Sequence, residues 1–177
     1  MGLDDYIQAD VLTKSGTLKD LTEEMCLEFL RVVKSMSDYR KATFDDLMIA
    51  AQTLYGEARG EPRESQAAVA WVIRNRAMAP KWWGRGVREV CLKPYQFSCW
   101  NKLDPNRERI ERANLGQIAP LYEVVLAVFT AAQVSDPTGG ATHYHTIAEP
   151  AGRTQWPPHW ATRLTETARI GAHVFYK

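Results

Sequence analysis

Residues 65–79 constrain the fold more than any other stretch, because they are Ala-rich and apolar almost all round a helical projection. A helix of that character is stable only when protein surrounds it. A strand fits less well, since Ala and Arg outnumber β-branched residues there. Just upstream the sequence punctuates another helix. Thr43 is a natural N-cap, Asp45 and Asp46 fill the acid-favouring first turn, and Phe44, Leu47, Met48, Ala51, Tyr55 and Ala58 make one apolar face before Gly60 and Pro62 stop it. A chain of 177 residues has room for roughly one core, and these two helices are its expected centre.

Helical spacing recurs at 18–39, through Leu18, Leu21, Met25, Phe29, Val32 and Met36, and at 117–134, through Ile118, Leu121, Val125, Val128 and Phe129. The first of these predicts an amino-terminal helical extension, residues 1–42, packed on a main domain of residues 43–177. Residues 80–102 read as a long irregular stretch, the kind a compact domain keeps for function. Asp136-Pro137-Thr138-Gly139-Gly140 is a turn, and 141–146 and 170–176 read as extended segments with one or two helical turns near 161–168. The expected fold class is α+β, helix-dominated, with a small sheet near the carboxyl end.

Composition removes several kinds of function. Lys and Arg number 22 against 21 Asp and Glu, a net charge of +1, which gives no electrostatic case for nucleic acid. The longest apolar run, 67–73, falls far short of the ~18–20 residues of a membrane span, so no membrane anchor is expected. The opening Met1-Gly2-Leu3-Asp4-Asp5-Tyr6 is acidic and does not resemble a signal peptide. Cys26, Cys91 and Cys99 lack C-x-x-C spacing and read as free thiols.

Among candidate reactive groups, Glu57 falls roughly 60° beyond the edge of the apolar stripe, in the last turn of its helix, with Glu61 nearer that edge. The helix dipole and partial burial disfavour its ionised form, and a carboxyl held protonated is what a general acid for a glycosidic oxygen must be. Pairing with Arg59 would act the other way, and a solvated helix-end Glu fits the spacing as well. His143 and His145 would share one face of a strand, as a metal pair does, but no H-E-x-x-H and no third ligand accompany them. Ser65 and Ser98 lie outside any G-x-S-x-G, and no phosphate-cradling loop is present. Trp82, Trp83, Trp100, Trp156 and Trp160 lie in the loops, available to stack on sugars or to pack.

Tyr55-Gly56-Glu57-Ala58-Arg59-Gly60-Glu61-Pro62, followed by Gln66-Ala67-Ala68-Val69-Ala70 and Asn75-Arg76, resembles the opening signature of the spore-cortex-lytic (SleB/CwlJ-type) cell wall hydrolase family. The similarity continues through Gln96-Phe97-Ser98, through Asp136 to Tyr144, through Pro158-His159-Trp160, and ends with Ile170-Gly171-Ala172-His173-Val174-Phe175-Tyr176. The resemblance implies a two-lobed, lysozyme-superfamily-like domain with a small antiparallel sheet, acting on peptidoglycan glycan strands. It implies Glu57 as acid/base in cleavage of the MurNAc–GlcNAc β-1,4 bond, leaving a 1,6-anhydroMurNAc end. Glu61, Gln96, Phe97, Ser98, His143, Tyr144 and Trp160 are the substrate-binding candidates, and no cofactor or metal is expected.

Without an export signal in view, such a chain resembles a bacteriophage endolysin. It is then expected to be a monomer made in the host cytoplasm, released through a holin, and active in the periplasm or cell wall. Two other enzymatic readings stay open: a muramidase that uses water at the same bond, and a metal-dependent N-acetylmuramoyl-L-alanine amidase built on the histidines. A non-catalytic wall-binding or virion structural protein, with Glu57 only a helix-end residue, is the reading from outside enzymes.

Overall fold

A computed structural model of the chain describes residues 42–131, 133–149 and 155–177; the helix expected over 18–39 and Cys26 lie outside them. The first described helix, α1 (Phe44–Ala58), starts as its sequence predicts. Thr43 accepts from the Asp46 N–H, and the Asp46 carboxylate accepts from the Thr43 N–H, closing a capping box. Phe44, expected on the apolar face, is instead 65 % exposed, while Ala50, Thr53, Leu54 and Gly56 are buried. The cause is that α1 is central. It packs against α2 (Arg63–Met78), α3 (Gly86–Leu92), α4 (Pro105–Glu111) and α5 (Leu115–Thr130), so burial extends well beyond one stripe.

The all-round apolar α2 separates two apolar layers. Val69, Ala70, Trp71 and Ile73 join the helical core, whereas Ala68 and Val72 face Phe175 and Ala141 of the sheet region. Its carboxyl end is polar and still buried, and hydrogen bonds account for that. Arg74 donates to the carbonyls of Val128 and Ala131 at the end of α5, at 2.6 and 2.7 Å. Asn75 donates to Asp136 and to the Ala141 carbonyl, and Arg76 Nε donates to the Thr142 carbonyl at 2.6 Å. These three residues fasten α5, the 136–140 turn and the start of the sheet to one helix end. Within that turn Asp136 accepts from Thr138 and Gly140, and Gly139 and Gly140 take positive φ.

Residues 80–102 are less irregular than expected. They contain α3, whose Val87, Val90 and Cys91 are buried at helical spacing, and a 3₁₀ turn at Ser98–Trp100. The sequence reading also passed over α4, a helix of 7 residues opened by Asp104 as N-cap and Pro105 in the first turn. Helix α5 begins at Leu115 because Asn114 and Gln117 form a capping box, and it ends at Thr130 rather than 134. The helical turns expected near 161–168 are a 3₁₀ turn, His159–Arg163, followed by a strand. Three strands result, β1 (His143–Thr146), β2 (Glu166–Ile170) and β3 (His173–Tyr176), antiparallel in the order β1-β3-β2, with Gly171 at positive φ in the β2–β3 hairpin. The fold is thus helix-dominated α+β, a large helical lobe and a smaller sheet lobe. No single described helix is long and apolar enough to cross a membrane.

Candidate active site

Glu57 closes α1 at the junction of the two lobes, and each lobe supplies a donor to it. From the helical side, the Cys99 N–H reaches Oε1 at 3.0 Å and the Ser98 hydroxyl at 3.5 Å. From the sheet side, the Tyr144 hydroxyl reaches Oε2 at 3.2 Å. The 3₁₀ turn carrying Ser98 and Cys99 is docked on α1 by Trp100, whose Nε1–H donates to the Thr53 hydroxyl at 2.9 Å. Gly56 lets it come close. A Cβ at Gly56 would stand 2.7 Å from Cys99 Sγ and 2.8 Å from Ile110 Cδ1. Gly56→Ala is therefore expected to push the turn off the helix, lowering stability by roughly 1–3 kcal/mol and withdrawing the Cys99 N–H from Glu57. Thermal melts and a peptidoglycan-release assay read the two effects.

Arg59 does not pair with Glu57. Its Nη1 donates to the Tyr55 carbonyl and to Asn106 Oδ1, and its guanidinium lies over the Tyr55 ring. Burial and the Glu57 carboxylate hold the Tyr144 hydroxyl well above its ordinary pKa, so it remains a proton donor. Beneath Tyr144 runs Arg76, buried between the rings of Trp83 and Phe97. Burial lowers its pKa, an effect opposed by Tyr144, Cys91 and Glu57 nearby. Both described cysteines are poor nucleophiles: burial pushes Cys91 up to about 12, and burial together with Glu57 pushes Cys99 up too.

The remaining candidates divide between two places. Glu61 lines the same open groove as Glu57, about 290 Å³ in volume, with Arg59 and Asn106. Ser98 and Tyr144 touch Glu57 directly. Phe97, expected to line the cleft, is 1 % exposed and lies against the Arg76 guanidinium instead, while its neighbours Ser98 and Cys99 supply the hydroxyl and the N–H that reach Glu57. Gln96 is half-buried, and its backbone N–H donates to the Lys93 carbonyl. His143 and Trp160 face away from Glu57, since strand alternation places Tyr144 on one side of the sheet and His143 and His145 on the other. Both ring nitrogens of His145 are engaged: Nδ1 with the Thr146 carbonyl at 2.8 Å and Nε2 with the Tyr176 hydroxyl at 2.9 Å. Among the described residues, no group of three His, Cys, Asp or Glu is arranged to hold a metal ion.

The sequence reading missed two contributors. Cys99 acts through its main-chain N–H, which has no sequence signature. His173, buried against the Tyr144 ring at 5.3 Å, belongs to a quoted motif but had been given no role.

His143 and His173 also fix a pH dependence. Burial, with Arg76 and Lys81 nearby, pushes His143 down to about 4 from 6.5, and burial lowers His173. The unfolded chain therefore binds more protons than the folded one below its histidine pKa. Their contribution to stability is complete above about pH 6.5 and is lost as pH falls, for His143 through about 4. The melting temperature is expected to drop across that window, and more shallowly in His143→Gln.

The profile of a family described as cell wall hydrolase matches residues 60–176, a span that opens just after Glu57. A spore cortex-lytic enzyme of Halalkalibacterium halodurans is 35 % identical over 133 residues, 74 % of this chain and 34 % of that protein. The spore cortex-lytic enzyme of Bacillus subtilis is 30 % identical over 138 residues, 74 % of this chain and 37 % of that protein. The chain thus spans little more than a third of the length of these two relatives. Among solved structures, the catalytic domain of Bacillus cereus SleB aligns with a TM-score of 0.59 at 26 % identity, covering 77 % of this chain and 92 % of that one. The catalytic domain of the germination-specific lytic transglycosylase SleB of Bacillus anthracis aligns with a TM-score of 0.55 at 29 % identity, covering 76 % and 96 %.

Proposed function

The chain belongs to the cell wall hydrolase family, and on that premise we propose that it cleaves the MurNAc–GlcNAc β-1,4 bond of peptidoglycan glycan strands as a lytic transglycosylase, with Glu57 as its acid/base. The observation that carries the proposal is one carboxylate, Glu57, in an open groove and held by donors from both lobes: the Cys99 N–H and the Ser98 hydroxyl on one side, the Tyr144 hydroxyl on the other. Glycosidases that hydrolyse with water ordinarily need two carboxylates at a set separation. Intramolecular closure needs one. Glu57 gives its proton to the bridging oxygen as the MurNAc C1–O bond breaks. The C6 hydroxyl of the same MurNAc attacks C1 and returns its proton to Glu57. One bond breaks, one forms, no water is consumed, and the carboxyl group ends as it began. Fixed donors from both lobes keep it oriented through both proton transfers.

One observation favours a second reading: Glu61 is a second carboxylate in the same groove, and a water activated by it would make the enzyme a muramidase. An amidase reading is separated by end-group chemistry. Digestion of purified sacculi is expected to release soluble fragments with new saccharide ends and no new free L-alanine amines, unaffected by chelator. New amines that vanish with chelator would overturn the glycosidic assignment. The proposed setting is that of a bacteriophage lysin made in the host cytoplasm and reaching the wall through a holin. Cytoplasmic expression alone is then expected to leave cells intact, and co-expression with a holin to lyse them.

A further inference from the structure

A second cavity, about 620 Å³ against about 290 Å³ for the Glu57 groove, opens where the end of α2, the start of β1 and the 3₁₀ turn His159–Arg163 meet. Its walls are aromatic and cationic. Trp82, 61 % exposed, presents its ring beside His143, whose ring centre lies 5.3 Å from that of Trp160. Lys81, Arg163 and Lys177 bring three positive charges, and no Asp or Glu lines the cavity. Among the described residues none of the three pairs with a carboxylate. Arg163 Nη2 instead donates to His159 Nε2 at 2.8 Å, and Lys81 Nζ stands 5.3 Å from the centre of the Trp83 ring. Buried Arg76 adds positive potential behind the wall, felt by His143. A cleft lined by one sign of charge gathers the opposite sign, and this volume lies within the range of small-ligand sites.

We propose that this cavity is a subsite for the carboxylate-bearing stem peptide of peptidoglycan, seated against Trp82 and Trp160 with its carboxylates on Lys81, Arg163 and Lys177. The inference rests on the peptidoglycan reading above. Chemistry selects the occupant: the N-acetylated glycan is uncharged once its lactyl groups are amide-linked, so the carboxylates of the repeating unit lie on the stems. Geometry allows the reach. Tyr144 touches Glu57 while its chain neighbour His143 faces the cavity, and β1 is an edge strand. A four-residue stem, fully extended, spans roughly 13–14 Å.

The test uses the full chain carrying Glu57→Gln, so that ligands persist, and soluble glycan fragments with intact stems or with stems removed by an amidase. Calorimetry is expected to give affinity at least about tenfold higher for stem-bearing fragments. Adding Lys81→Ala and Arg163→Ala is expected to erase that preference with the melting temperature preserved; Lys81→Ala alone, at an exposed position, is expected to reduce it. Equal affinity for the two fragments, or a preference that survives the added substitutions, overturns the subsite. So does tighter binding of polyglycerol phosphate than of stem-bearing fragments, which would assign the cations to a wall phosphate. Wild-type digestion of sacculi, run in parallel, separates the two levels. No soluble product means the activity itself is misassigned, whereas product without stem preference removes the subsite alone.

Discussion

Glu57→Gln is expected to reduce release of soluble fragments from sacculi by roughly a thousandfold or more, since one group serves as both acid and base and each role contributes about 10²–10⁴. The substitution changes little else. Gln keeps the shape and an acceptor oxygen for the Cys99 N–H, and the Tyr144 hydroxyl can turn to accept from the new amide. Glu57 is part-exposed at a helix end and, among the described residues, forms no ion pair, so the melting temperature is expected to move by only a few degrees. The combination of lost turnover and retained fold is what separates a chemical role from a structural one. Retained turnover in this variant would remove Glu57 from the mechanism.

Trp71→Ala produces the converse pattern. The indole is 3 % exposed within the helical core, and the Arg74 guanidinium lies 4.7 Å from its ring centre. Truncation leaves a cavity between α2 and α5 and strips Arg74 of the surface it rests on while it caps the α5 carbonyls. Loss of a buried Trp costs about 3–5 kcal/mol, which for a chain of this size lowers the melting temperature by roughly 6–20 °C. Activity measured well below the new midpoint is expected to track the folded fraction, because Trp71 is absent from both the Glu57 groove and the aromatic cavity. A loss of turnover in fully folded protein would contradict this division between core and site.

These contrasts show which parts of the molecule its sequence discloses. The cores of α1 and α2 were legible because capping at Thr43 and all-round apolarity at 65–79 are local signals that the packing then reinforces. Helices α3 and α4 were not, since 7 residues carry too few periods to stand out and rely on α1 for burial. Strand β2 was taken for a helical turn because Glu166, Thr167 and Arg169 are exposed and only the pairing with β3, set by the Gly171 turn, imposes extension.

The candidate site follows the same logic. Glu57, Ser98 and Tyr144 are side chains in recognisable motifs, and the structure places them together. Phe97 belongs to the same motif yet holds Arg76 in place, a division that depends on which way a 3₁₀ turn faces. The Cys99 N–H depends on the backbone, and its one sequence trace is Gly56, where a missing side chain admits the turn. Asn75 and Arg76 belong to the quoted signature without an assigned role, and they brace the start of β1, which carries Tyr144 to Glu57.

The most direct measurement is mass analysis of the soluble fragments from purified peptidoglycan, without chemical reduction. Muropeptides one water lighter than hydrolysis products, absent with Glu57→Gln, are the result that single-carboxylate transglycosylation through Glu57 predicts. Fully hydrated, reducing-end muropeptides would contradict it and would move attention to Glu61 and a water held beside it.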